Sequence, residues 1–494
     1  LLVLPVIISF ALSQKGWRKC LFFITASTAL LALYVSGSRG ALVGALALSL
    51  ISICLGFILS KGQNRRRWAI VSCCLFLTMS LALASNPRIR TLVSFTPNVS
   101  DNDISVISLA DGPTKDRIFM LEAARNILTE HPLLGVGPGN LSRLYNIYRP
   151  VETGGGLTLV QQLHNTPAQI AAELGLLGLV IYGAMLTTLF RLGISLYQNI
   201  TEHKDRVLLY GIGASWLGYG VSSLSDYQLE NIGIAIILIA TVALLINLGD
   251  DYKPTKRTWN LSNRTRRVVS LCLLALLCSN FQLWLRTDVG LYLAHAGLKN
   301  GQELDFAAAD IKFAKASKLV PWDPTYSALG SETILNVMAD VDSKKHIQEL
   351  ESLAIDYLRG AVKAAPNDPW FNQNLAVLLL ERNPEEAQKY AEHAVRLSPR
   401  SYHGYTYYTL GLTYLRQEKI DEAIDAFVLE GLINPIFLTA NIWDEESFSS
   451  IKDRVIRIFL DRAQEVLSQT NKQTSQYQWL HEQWTILSWW YGYP

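Results

Sequence analysis

Apolar runs of about the length that crosses a bilayer, near 20 residues, recur through the first ~285 residues of this chain and then stop. They fall at residues 21–34, 41–59, 68–84, 168–190, 207–224, 232–248 and 268–285, and residues 1–12 form the tail of another. In lipid every backbone group must be satisfied within the chain, so such runs fold as helices. The run at 21–34 is short unless it begins near Trp17. The chain opens at Leu1, inside an apolar run and without Met, and is read as a fragment lacking earlier spans.

The segments between the runs alternate in charge. Lys15, Arg18 and Lys19 come first, then Lys61 and Arg65 to Arg67, then Arg191, Lys204 and Arg206, then a cluster from Lys253 to Arg267. Basic loops stay on the cytoplasmic side. The opposite face then receives residues 36–40, a long polar loop at 86–167, residues 225–230 and everything after Leu285. The expected fold class is all-α: a polytopic transmembrane helix bundle over 1–285, followed by a soluble helical domain over 286–494.

Composition supports this division. Half of the residues are hydrophobic and only 17% are charged, well under the quarter typical of soluble proteins. The net charge of +2 and the confinement of basic residues to inter-span segments give no reason to expect a nucleic-acid partner. The six cysteines (Cys20, Cys54, Cys73, Cys74, Cys272 and Cys278) lie in or beside apolar runs. That excludes a disulfide scaffold and a thiolate metal site. With no acidic cluster in the outer loops beyond the scattered Asp101, Asp103 and Asp111, no metal and no cofactor are expected.

Polar residues that need an explanation gather on the outer face. Arg39 sits between apolar runs in SGSRGA, either facing a polar cavity or snorkelling to headgroups. In the long loop, Thr114 or Asp116 can cap a helix reaching about Glu130, with Ile118, Leu121, Ala124 (or Arg125) and Leu128 at helical spacing. Arg117 lies in its first turn, where a cation opposes the helix dipole, so it is incidental or kept for an anion. Pro132 stops this helix, and GVGPGN follows as a tight turn or a phosphate cradle. Next comes LHNTPAQIAAELGLLGLV, with Thr166 as N-cap and Pro167 as first helical residue. His164 and Asn165 thus precede a helix whose dipole disfavours imidazolium, leaving His164 as a general base or a structural residue. Glu173 lies about two turns deeper and needs a partner, for which Arg39 is a candidate. Asp226 is a second outward-facing carboxylate.

From about Thr287 a new period appears. Ala309, Phe313, Ala316 and Pro321 share their spacing with Ala354, Leu358, Ala361 and Pro366, and with Ala387, Ala391, Ala394 and Pro399. A fourth set is Ala423, Phe427, Glu430 and Pro435, preceded by Leu410, Gly411 and Tyr414. This is the signature of ~34-residue tetratricopeptide hairpins, which stack into an α-solenoid with a concave binding face. Trp479, Trp484, Trp489, Trp490 and Tyr491 near the end suit a cap on the solenoid or a contact with the membrane interface.

The strings SGSRGA, R…A…IL…HPLLGVGPGN and HN…Q…AELGLLG occur in an order and topology that resembles the bacterial O-antigen ligase and polymerase-like membrane family, over roughly residues 1–250. The resemblance implies a metal-independent, inverting glycosyltransferase of the bacterial inner membrane. Its donor would be an undecaprenyl-diphosphate-linked glycan, and its acceptor a lipid, protein or glycan hydroxyl on the periplasmic face. It further implies that Arg39 and Arg117 hold the donor diphosphate and that His164 activates or orients the acceptor hydroxyl; from their own positions Asn165, Glu173 and Asp226 are expected as supporting residues. Besides membrane lipids, a protein partner on the tetratricopeptide groove is expected. The alternatives are a membrane transporter, since some relatives carry a bicarbonate-transport label, and a non-catalytic scaffold for envelope assembly.

Overall fold

The computed structural model describes residues 2–36, 113–151, 160–252, 262–338, 344–400, 404–470 and 475–493, with isolated positions at 44, 73, 77 and 80. Arg39, most of the expected spans at 41–59 and 68–84, and loop residues 86–112 and 152–159 lie outside them. Among the described residues the regular structure is helical, without strands. The contacts divide the chain into two compact units.

The first unit holds residues 1–101, 120–141 and 161–259. Its helices include α1 (Leu4–Ser13), α2 (Trp17–Ser36), and most of α3 (Pro113–Glu130). Of the long loop's other helix, α4 (Leu141–Tyr148), only Leu141 belongs here. The bundle continues with α5 (Thr166–Asn199), α6 (His203–Ser223) and α7 (Ile232–Tyr252). α2 does begin at Trp17, which gives the short run its length. Val6, Leu196, Ile200, Leu209, Ile212, Leu245 and Leu248 bury one another where α1, α5, α6 and α7 meet. In α3 the buried stripe is Met120, Ala123, Ala124 and Ile127, one step round from the expected one, and Ile118 and Leu121 are exposed. Small alanines let that face approach its neighbours closely, which a count of large apolar positions overlooks.

The second unit holds residues 102–119, 142–160 and 260–494. It starts with α8 (Asn263–Gln302), a helix of 40 residues. Its N-terminal part carries an apolar stretch long enough to cross a membrane, as do α5 and α7. Its C-terminal part forms the first helical hairpin with α9 (Phe306–Leu319) and buries Gly290, Ala294, Gly297 and Gly301. The helix runs through residue 285 without a break. Three more hairpins follow: α10 (Pro324–Met338) with α11 (Lys344–Ala364), α12 (Pro369–Leu379) with α13 (Pro384–Leu397), and α14 (Thr406–Leu415) with α15 (Ile420–Ile433). α16 (Glu446–Gln469) and α17 (Ser475–Tyr491) complete the unit.

The repeat alanines are buried as their spacing requires, Ala309, Ala316, Ala354, Ala361, Ala387, Ala391, Ala394 and Ala423 among them. The fourth hairpin departs from the pattern at Glu430, which is fully buried where the other three place Ala316, Ala361 and Ala394. Glu430 accepts the Tyr408 amide at 3.2 Å. α14 has Tyr405 at its N-cap, in the left-handed region at φ +50 and with no side-chain cap. The acid of one helix thus supplies the cap that its hairpin partner lacks, satisfying an otherwise orphan N–H.

Candidate functional site

The site grows from the N-terminus of α5. Asn165 is the N-cap, its side chain accepting the Ala168 amide at 2.8 Å, so the cap lies one residue ahead of the expected Thr166. Thr166 is instead buried and donates through its hydroxyl to the Asp226 carbonyl at 3.2 Å. Asn165 also donates to the Leu224 carbonyl at 2.8 Å. These bonds pin the α6–α7 connection to the start of α5, and they bring His164 and Asp226 together across 62 positions of sequence. His164 Nδ1 lies 3.0 Å from Asp226 Oδ1.

An ionised carboxylate only accepts hydrogen bonds, so Nδ1 carries a proton, and in the neutral ring the lone pair lies on Nε2. Burial pushes the Asp226 carboxyl up, but hydrogen bonds from His164, Gln228 and the Tyr227 amide outweigh it and leave it below its ordinary 3.8. It is therefore ionised at neutral pH. His164 itself is exposed and sits at φ +48, a left-handed conformation that costs a non-glycine residue about 1–2 kcal/mol. Part of what holds it there is the buried Gln169, whose side-chain oxygen accepts the Leu163 amide at 2.9 Å. Among the described residues no group bonds to His164 Nε2.

Below the histidine the helix is broken. Gly175 has φ +64 and ψ −161 inside α5. In an unbroken helix the amides of Leu176 and Leu177 would bond to the carbonyls of Ala172 and Glu173. Here the loop turn at 131–139 replaces both pairs. Leu176 and Leu177 donate to the Pro132 and Leu133 carbonyls at 2.8 and 3.2 Å. The Ala172 and Glu173 carbonyls accept the Val136 and Gly137 amides at 3.0 and 2.9 Å. The fit leaves no room for side chains. A Cβ at Gly175 would lie 2.4 Å from the Leu133 carbonyl carbon, and one at Gly135 would lie 2.4 Å from the Ala172 oxygen. Glu173 is buried in the same region, and its Oε1 accepts the Gly139 amide at 3.0 Å. The glycine-rich turn is thus a plug for a broken helix, a reading that its sequence did not bring out. The two strings HPLLGVG and AELGLLG fit each other, which is the signal available beforehand.

Arg117 lies one turn into α3 and belongs to the second unit. It is half-buried, and among the described residues no hydrogen bond or ion pair engages its guanidinium. Arg39, the expected partner of Glu173, falls outside the described residues. Among the described residues no three His, Cys, Asp or Glu side chains gather as metal ligands would.

These strings lie in or beside a recognisable domain. Residues 24–183 match the family model described as O-antigen ligase. The match takes in Arg39, Arg117, His164, Asn165, Glu173 and Gly175 and ends ahead of Asp226. A tetratricopeptide-repeat model matches residues 405–428, which fall on the α14–α15 hairpin. No curated protein matches the chain. The match to the O-antigen ligase model supports a membrane function of the glycan ligase or polymerase type, three helices are long and apolar enough to cross a membrane, and the repeat is of a kind used in protein interactions.

Proposed function

We propose that this protein moves a glycan from an undecaprenyl-diphosphate carrier to an acceptor hydroxyl on the periplasmic face of the inner membrane. The observation that carries the reading is the His164–Asp226 pair: an exposed imidazole, held in a strained backbone conformation, fixed at Nδ1 by a carboxylate and with no bonded partner at Nε2 among the described residues. Such an imidazole is placed to take a proton from a hydroxyl. In the proposed step the acceptor oxygen forms a bond to the anomeric carbon as its proton passes to Nε2. The bond between that carbon and the diphosphate oxygen breaks, so a single displacement inverts the configuration. Arg39 and Arg117 hold the departing diphosphate through charge-assisted hydrogen bonds, which requires no metal. Asp226 stabilises the imidazolium that forms, and Asn165 and Glu173 hold the two backbone segments that meet beside it.

The broken α5 favours the transporter reading, because discontinuous helices bind ions through unwound backbone. Its freed groups are already paired with residues 132–137, which leaves none of these for an ion. The experiment is to incubate the purified protein, and its His164→Ala variant, with lipid-linked oligosaccharide and candidate lipid, protein and glycan acceptors, and to weigh the products. The proposal expects a glycosylated acceptor and free lipid diphosphate from the wild type, and loss of both in the variant. Equal product from the two would remove His164 from the chemistry. No product with any acceptor, beside ion uptake into vesicles, would favour transport.

A further inference from the structure

The loop helix α4 belongs, beyond its first residue, to the same compact unit as the repeats. Its polar contacts there are long-range and ordered. Arg143 donates to the Trp322 carbonyl at 2.5 Å, just beyond the end of α9, and to the Ala364 carbonyl at 3.4 Å, at the end of α11. Asn146 reaches the Asn367 carbonyl at 3.5 Å, just past α11. Arg149 donates to the Leu397 carbonyl at 3.2 Å and the Ser398 hydroxyl at 2.8 Å, at the end of α13. Residues 143, 146 and 149 stand three apart, which is one face of a helix. Each meets the C-terminal end of the second helix of a hairpin, and the ends follow the order of the hairpins. Helix C-termini carry unpaired carbonyls and the negative end of the dipole, so guanidinium and amide donors are what they bind. Tyr145 and Arg149 are buried in this contact, Tyr145 completely. A buried guanidinium is costly unless its donors are used, so the contact is specific to this segment.

We propose that the repeat domain's first ligand is this chain's own loop: α4 seats on the ends of three successive hairpins, with Arg149 as the positioning residue that locks it. The segment so held follows directly on the turn that plugs α5 and leads towards His164. The repeats therefore act as a clamp on the loop that carries the transfer chemistry, and not solely as a landing place for another protein. The functional half of this inference rests on the glycan-transfer reading; the docking half does not.

Hydrogen exchange on the purified full-length chain tests the docking. Arg149→Met should speed exchange of the amides at 142–149 on the order of 10- to 100-fold, the factor expected for losing a charge-assisted hydrogen bond. Protection in α12 to α15 should stay as in the wild type. Arg149→Lys should restore part of it, since one donor remains. Unchanged exchange at 142–149 overturns the docking. Faster exchange throughout the repeats makes Arg149 an ordinary core residue and overturns the clamp; Arg143→Met, at a half-buried position, must then give the same global pattern. Transfer kinetics test the positioning. Turnover per folded molecule should fall by about 10²-fold in Arg149→Met, the scale of a small displacement of a reacting group. Normal turnover beside faster local exchange overturns the positioning role. A wild type that transfers nothing but protects 142–149 refutes the transfer reading while sustaining the docking.

Discussion

Gly175→Ala puts the broken helix to a quantitative test. The residue adopts φ +64 and ψ −161, a region open in practice to glycine alone, which costs other residues about 1–3 kcal/mol. The added methyl would also lie 2.4, 2.5 and 2.7 Å from the Leu133 carbon, the Leu133 oxygen and the Gly135 nitrogen. All three are backbone atoms, so no side chain can swing aside, and the turn must withdraw. Withdrawal removes the bonds from Leu176 and Leu177, and then those from Val136 and Gly137, at about 1 kcal/mol each. The expected loss is therefore about 5–7 kcal/mol, a large share of a typical stability. Gly139→Ala is the matched control. It also has a positive φ, +74, but nothing within 4 Å of its Cβ, so its cost is that of the conformation alone, about 1–2 kcal/mol. Hydrogen exchange at the amides of Val136, Gly137, Leu176 and Leu177 reads the difference directly. The Gly175 variant should lose on the order of 10²-fold or more in protection, and the Gly139 variant about tenfold. Equal protection in the two would refute the account of the turn as a plug.

Two further outcomes follow from buried and paired carboxylates. Burial holds the Glu430 carboxyl up at about 7 from an ordinary 4.5, with hydrogen bonds from Tyr408, Asn434 and Tyr407 offsetting part of the rise. The folded hairpin thus binds the proton more tightly than the unfolded one: its contribution is complete below pH 4.5, is lost as pH climbs to about 7, and is worth about 3 kcal/mol. Protection of the α14–α15 amides should fall over that window in the wild type and stay level in Glu430→Gln; a level wild type would refute it. Asp226→Asn keeps an acceptor near His164 but removes the charge that fixes its tautomer, and transfer should fall by 10²-fold or more, on the scale of general-base catalysis, with folded yield unchanged. Normal turnover would take the pair out of the mechanism.

The repeat hairpins were legible because their small residues recur at fixed spacing, and burial of Ala316, Ala361 and Ala394 is a direct consequence of that period. Among the described residues the runs at 168–190, 232–248 and 268–285 were legible through hydropathy, and the loop helix through its apolar spacing, although of its expected face Ala124 is buried while Ile118 and Leu121 are exposed. What could not be read was non-local. His164 and Asp226 are 62 residues apart, and nothing in either neighbourhood names the other. The break at Gly175 leaves the hydropathy of α5 intact, because its bonds are replaced by a segment some forty residues earlier. Arg143, Asn146 and Arg149 look like solvated polar residues of a short helix, since all but one of the partners described above are backbone carbonyls, which carry no sequence signal. Glu430 stood in plain view as an acid at an alanine position, and its meaning depended on the uncapped helix across the hairpin.

The 40 residues of α8 extend about 60 Å as one helix, and the same rod carries an apolar stretch long enough to cross a membrane at one end and a repeat hairpin at the other. Such a rod has a phase. Adding a single residue near position 285 would turn everything beyond it by about 100° and lift it by 1.5 Å, so an insertion there would rotate the repeats about the axis of α8 relative to its apolar stretch. Length at that point is therefore under geometric constraint of a kind that a flexible linker would not impose, and natural variation there should come in whole turns.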